Sequence, residues 1–177
     1  MDELAEAVRE VIDGNESAFR KIVLATNVRL VRVAARIMGT VEDGEDVVQE
    51  AYVKAHRALI EGRFDGRSRV ETWLYRVVTN TAIDALRSGK RRPRESDAAA
   101  EPSWDGGQAA EARVALGELS DLLATLPPDQ RAALVLKSVE GMSANEVAEV
   151  LGTTEGAVEQ HLVRARAALR KWSKSDA

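Results

Sequence analysis

The chain has 177 residues, a length that suits one or two small domains, and its 25 Lys/Arg and 29 Asp/Glu leave a formal net charge of −4. With no Cys there can be no disulfide framework or thiolate metal site, and two His are too few for a His-rich one, so neither metal nor cofactor is expected. No apolar run approaches the ~20 residues that span a bilayer, and the acidic start MDELAEAVRE lacks the order of a secretory signal, so a cytoplasmic protein without membrane insertion is expected.

Apolar residues recur at helical spacing nearly everywhere, and Pro, Gly and β-branched runs are too sparse for sheets, which predicts an all-α chain. Charge falls in blocks. Met1–Val53 carries 6 Lys/Arg against 11 Asp/Glu, Lys54–Arg94 11 against 4, Glu95–Gln130 1 against 8, and Arg131–Ala177 7 against 6. The basic block suits nucleic acid, and the acidic blocks suit a protein partner or an electropositive channel.

In chain order, the first clear amphipathic helix is Glu45 to Ile60. Val47, Val48, Ala51, Tyr52, Ala55 and Leu59 point one way, and Asp46, Gln49, Glu50, Lys54 and Arg57 the other. Gly62 to Val70 reads as a short loop with Gly66 and three arginines. A second helix, about Glu71 to Arg87, is expected to bury Leu74, Val77, Val78, Thr81, Ala85 and Leu86, and Pro93 ends the basic stretch after it. Arg94 to Gln108, RESDAAAEPSWDGGQ, lacks periodicity and reads as linker. The expected organisation is two small helical domains, 1–93 and 112–172, joined by a flexible acidic linker over 94–111. Such a linker has a relaxed span of roughly 25 Å and stretches to about 60 Å. Sites more than one DNA turn (~35 Å) apart are within its reach.

Leu126-Pro127-Pro128-Asp129-Gln130-Arg131 opens a supporting helix with proline in its first turn, and Gly141 is its expected stop. Ser143-Ala144-Asn145-Glu146 is a capping box. Its helix passes Val147, Ala148 and Leu151 and stops at Gly152; Thr153 or Thr154 caps the next after a three-residue turn. There Val158, Leu162, Ala165 and Leu169 form one apolar stripe, with Glu155, Glu159, Gln160, Arg164 and Arg170 opposite.

An ordinary helical hairpin would explain the same caps and spacing; the supporting helix favours a helix-turn-helix that enters a DNA major groove. Trp73, Tyr75, Asn80, Asp84 and Arg87, beside a basic block, can stack on unpaired bases and read a base edge. The alternative is a core aromatic with a solvated basic face. Asp46, Gln49 and Glu50 suit a basic or polar partner helix, or plain solvation. His56 and His161 are isolated, and read as structural or DNA-facing. No nucleophile elbow, phosphate loop or zinc-protease signature is present, so no enzyme is expected.

Four segments, in this order, resemble the extracytoplasmic-function (group IV) sigma factors of bacterial RNA polymerase: ESAFRKIVLATNVRLVRVAARIMG, DGEDVVQEAYVKAHRAL, FDGRSRVETWLYRVVTNTAIDALRSGKRR and LPPDQRAALVLKSVEGMSANEVAEVLGTTEGAVEQHLVRARAALRK. The resemblance covers nearly everything outside the linker and the first dozen residues. It implies a factor that binds core RNA polymerase, recognises a −35 duplex and melts and reads a −10 element.

The resemblance also implies roles for residues. Asp46, Gln49 and Glu50 would dock on the clamp helices of the largest polymerase subunit. Trp73, Asn80 and Asp84 would lie on the helix of promoter melting and −10 recognition, with Tyr75, Arg76 and Arg87 beside them. The Gly66–Val70 loop, with Arg67 and Arg69, would capture a flipped non-template base; extrusion costs a few kcal/mol that a preformed pocket must offset. The helix beginning near Thr154 would be the −35 reader, carrying Glu155, Glu159, Gln160, His161, Arg164 and Arg166 to the promoter. Two departures stand out: Glu159 where the family often has a basic residue, and Val70-Glu71 in place of a common Phe-Arg pair. An anti-sigma factor that masks these surfaces is implied as well. The alternatives are a polymerase-independent helix-turn-helix regulator, and a helical adaptor that would leave the basic 54–94 block unexplained.

Overall fold

Residues 3–89 and 121–175 are described by a computed structural model, with side chains through residue 171. The expected linker over 94–111 lies outside them. The described residues contain helices and no strand: α1 (Glu3–Ile12), a 3-10 turn (Glu16–Ala18), α2 (Phe19–Met38), α3 (Val41–Ile60), α4 (Val70–Arg87), α5 (Pro128–Ser138), α6 (Ala144–Leu151) and α7 (Glu155–Ser175).

The N-terminal domain packs α1 to α4 around Val11, Ile22, Leu30, Val33, Ile37, Val48, Leu59, Leu74 and Val78, all essentially without solvent contact. Full burial of one such side chain stabilises by roughly 1.5–3 kcal/mol. α3 begins at Val41, four residues before the periodicity indicates. The physical reason is a cap outside the apolar pattern: Thr40 Oγ1 accepts the Asp43 N–H at 3.1 Å. Gly44 lies inside this first turn. A Cβ there would sit 2.5 Å from the Ala35 nitrogen, so glycine is what lets α2 and α3 approach.

α4 starts at Val70 and is covered from more than one side. Leu74, Val78 and Thr81 are buried as the spacing predicts, whereas Val77, Ala85 and Leu86 are half-buried. Tyr75, Thr79, Ala82 and Ile83 are buried in addition.

In the C-terminal domain Pro128 stands at the first turn of α5, which ends at Ser138, ahead of the expected Gly141 stop. Ala132, Val135, Leu136, Val147, Val150, Val158 and Leu162 form its centre. This domain rests on the first one: α4 packs against α5 and α6, and α2 against α5. The apolar cluster is continuous across the seam. An open groove of about 710 Å³ runs along it, lined by Val28, Val31, Ala35, Val135, Val139 and Leu169 among others.

Candidate nucleic-acid and polymerase interface

The helix-turn-helix is built from α6 and α7. Ser143 Oγ accepts the Glu146 N–H at 3.2 Å, while the Glu146 carboxylate accepts from the Ser143 N–H and hydroxyl, both at 2.8 Å. Those bonds, the backbone one foremost, hold the Glu146 carboxyl below its usual range, with Arg69 and Lys137 nearby adding to the effect. Gly152 ends α6 in the left-handed region at φ 64°, a conformation that costs glycine nothing. Of the two candidate caps for α7, Thr154 makes the bond, its Oγ1 accepting the Ala157 N–H at 3.2 Å.

Val158, Leu162 and Ala165 are fully buried and fix the roll of α7. Leu169 is half-buried. Thr154, Glu155, Glu159, Gln160, Arg164, Arg166 and Arg170 are exposed on the outer surface. His161 differs: it is half-buried, and its Nδ1 is buried without a hydrogen bond among the described residues. A groove-facing role would leave that nitrogen in place and use the rest of the ring.

Asp46, Gln49 and Glu50 are exposed together on α3. Lys54 pairs with Glu50 at 2.8 Å and donates to Thr81 Oγ1 at 3.2 Å, which orients that end of the stripe. The stripe also holds Val53, 59% exposed, which the polar pattern does not single out. Its signal is positional: it follows Asp46, Gln49 and Glu50 at helical spacing, an apolar side chain among polar ones.

In the loop before α4, Asp65 accepts the Arg67 N–H at 3.1 Å, and the Arg67 side chain is 90% exposed. Arg69 is exposed at the N-terminal boundary of α4. Trp73 is half-buried, its ring 4.7 Å from that of Phe64. Asn80, Asp84 and Arg87 are exposed. Tyr75 and Arg76 are engaged by the other domain. Tyr75 is 7% exposed, with its hydroxyl 2.5 Å from Glu140, and Arg76 donates twice to the Glu149 carbonyl at 3.0 and 2.6 Å. Burial, then the Glu140 carboxylate, pushes the Tyr75 phenol well above its ordinary range. The structure therefore groups these residues on one helix but leaves only some of them open.

The family description "Sigma-70 region 2" matches residues 23–92, and "Sigma-70, region 4" matches residues 116–169. The chain is 34% identical to the RNA polymerase sigma-H factor of Pseudomonas aeruginosa, over 94% of this chain and 91% of that one. It is 34% identical to the ECF RNA polymerase sigma-E factor of Escherichia coli, over 92% and 90%. Among solved structures, CnrH in complex with the cytosolic domain of CnrY superposes with a TM-score of 0.72 at 31% identity, over 99% of this chain and all of that one. No helix among the described residues is long and apolar enough to cross a membrane.

Proposed function

Because the chain belongs to the extracytoplasmic-function sigma factors of bacterial RNA polymerase, we propose a division of labour between its two domains. The protein binds core RNA polymerase and directs promoter-specific transcription initiation. The N-terminal domain, over residues 1–93, offers Asp46, Gln49 and Glu50 to the polymerase clamp. Its loop residues Arg67 and Arg69, with Trp73, Tyr75, Arg76, Asn80, Asp84 and Arg87 of α4, hold the melted −10 strand. Cationic side chains meet its phosphates, Trp73 stacks on a base, and Asn80 reads an edge.

The C-terminal domain, over residues 112–172, inserts α7 into the −35 major groove. Thr154, Glu155, Glu159, Gln160, His161, Arg164 and Arg166 face the duplex there. Glu159 can accept from a cytosine amino group and Gln160 can pair with adenine, while Arg164 and Arg166 reach phosphates. The protein performs no reaction of its own; it lends recognition and melting energy to the polymerase, in the cytoplasm where that enzyme works. An anti-sigma factor is its expected regulator, just as CnrH is held by the cytosolic domain of CnrY.

The observation that carries this reading is the pairing of two separate exposed surfaces in one chain: the polar stripe of α3 and the outer face of α7. The test is to add the purified chain to core RNA polymerase and measure initiation over a promoter library. Promoter-selective initiation that depends on the chain supports the reading. Duplex binding with no gain by core polymerase would instead support a polymerase-independent regulator.

A further inference from the structure

None of the residues that line the groove between the domains belongs to the set assigned to polymerase or promoter. Its volume of about 710 Å³ falls within the roughly 300–1,000 Å³ common to small-molecule sites. α2 forms one wall with Val28, Val31 and Ala35, and the C-terminal domain forms the other with Val135, Val139 and Leu169. Val28 is 71% exposed and Val139 37%, so apolar side chains meet water on both walls. Removing that surface from water favours the entry of an apolar ligand.

The charge in the lining is one-sided. Arg32 and Arg36, one turn apart on α2, are both exposed, and no carboxylate lines the groove. Neither guanidinium forms an ion pair among the described residues, and Arg36 Nη1 donates to the Arg32 carbonyl at a long 3.4 Å. Arg32 also lies within electrostatic reach of Tyr75, which leaves Arg36 the freer of the two. The facing wall adds one polar side chain, Ser138. Cations on one rim and hydrocarbon along the rest match a molecule with a single anionic head and an apolar tail. An acidic amphipathic helix carries charge along its whole length and would meet cations at one edge alone.

We propose that this groove binds a single-chain anionic amphiphile, a free long-chain carboxylate, with its head at Arg36 and Arg32 and its tail between α2 and the C-terminal domain. Guanidinium suits a carboxylate because two parallel N–H groups meet its two oxygens. Such a ligand touches both domains, so its occupancy stabilises their packing and makes that packing responsive to a small molecule. The site shares no residue with the promoter reading and stands independently of it.

The test titrates the full-length chain by calorimetry with decanoate, dodecanoate and tetradecanoate, each below its micelle-forming concentration. One-to-one saturation is expected, with affinity rising up to about fourfold for each added methylene. Tetradecanol has the tail without the charge and should bind about tenfold more weakly than tetradecanoate. Arg32→Gln with Arg36→Gln should abolish that difference between acid and alcohol. Val28→Asp places a charge on the apolar wall and should weaken both ligands about tenfold or more. The thermal midpoint of the wild type should rise with tetradecanoate, and that of Val28→Asp should not.

Both arginines are exposed, so their substitution decides the matter even where Val28→Asp alters stability. Absence of saturable binding below the micelle-forming concentration would overturn the site. So would an affinity indifferent to tail length, or one that the arginine substitutions leave unchanged. Saturable binding of an acidic amphipathic peptide, lost in Val28→Asp, with none of tetradecanoate, would assign the groove to a protein helix instead. Failure of the sigma reading is distinct: the wild type would give no promoter-selective initiation with core, whatever the calorimetry reports.

Discussion

Tyr75 and Glu140 meet across the domain seam, 65 positions apart in sequence, with the phenol oxygen 2.5 Å from the carboxylate. The chain has only two tyrosines, so their ionisation can be followed by ultraviolet absorbance. Both are raised above the ordinary value of ~10, Tyr52 by burial and Tyr75 by burial and the Glu140 carboxylate. A raised folded-state pKa means the Tyr75 contribution to stability is complete below the unfolded value and is lost as pH rises toward the folded one. Tyr75→Phe should remove the later phenolate transition, and Glu140→Ala, which takes away the carboxylate but not the burial, should move it down in part. A Tyr75 phenol that titrates at the ordinary value in the unmodified chain would contradict the closed seam.

Gly44→Ala places a methyl 2.5 Å from the Ala35 nitrogen, against backbone that cannot swing aside. Overpacking of this kind typically costs about 1–3 kcal/mol, with no offsetting gain because the helix must shift. The urea midpoint should fall with little change in slope. A neutral result would mean α2 and α3 can separate there without loss.

The limits of sequence reading are visible in α3 and α4. All six apolar positions expected on α3 are buried, because a helix covered on one face records its burial at 3.6-residue spacing. α4 is covered by its own domain and by the C-terminal one, so its buried set spreads to Tyr75, Thr79, Ala82 and Ile83. Local periodicity carries no information about which distant element supplies the second cover. The Arg131 bond to Ile37 spans 94 positions, and nothing in PPDQR distinguishes that arginine from a solvated one. The capping box was legible for the opposite reason, since all its partners lie within three residues.

Ser143→Ala removes the hydroxyl that caps α6 and should cost about 1 kcal/mol, read as a lower thermal midpoint. Glu146, the other half of the box, is held below its usual pKa first by the Ser143 N–H and then by its hydroxyl. Its contribution is therefore present at neutral pH and is lost as pH falls through the lowered folded-state value. Ser143→Ala should weaken that acid sensitivity. An unchanged acid limb would show that the pairing adds nothing to stability.

Glu159→Lys exchanges an exposed carboxylate for a cation on the outer face of α7. If the side chain lies near DNA, general affinity should rise and the slope of log affinity against log salt should steepen by about one. The −35 preference should also change, as a cytosine acceptor is lost. Selection from a randomised duplex pool would reveal it; an unaltered preference profile would show that Glu159 does not read bases.

Val53 is a large apolar side chain exposed along the Asp46, Gln49 and Glu50 stripe, with Ile60 two turns further on. A polar stripe alone gives a docking surface its orientation, while a desolvated apolar contact at its centre usually carries much of the affinity. Val53→Asp leaves the buried side of α3 untouched, so the folded chain should keep its thermal midpoint to within about 0.5 kcal/mol of stability. Its affinity for core RNA polymerase should nevertheless fall about tenfold, a loss of roughly 1.4 kcal/mol. Duplex binding through α7, measured without polymerase, should stay the same. If core affinity is also unchanged, the clamp does not meet α3 along this stripe and the docking surface must be sought elsewhere on the N-terminal domain.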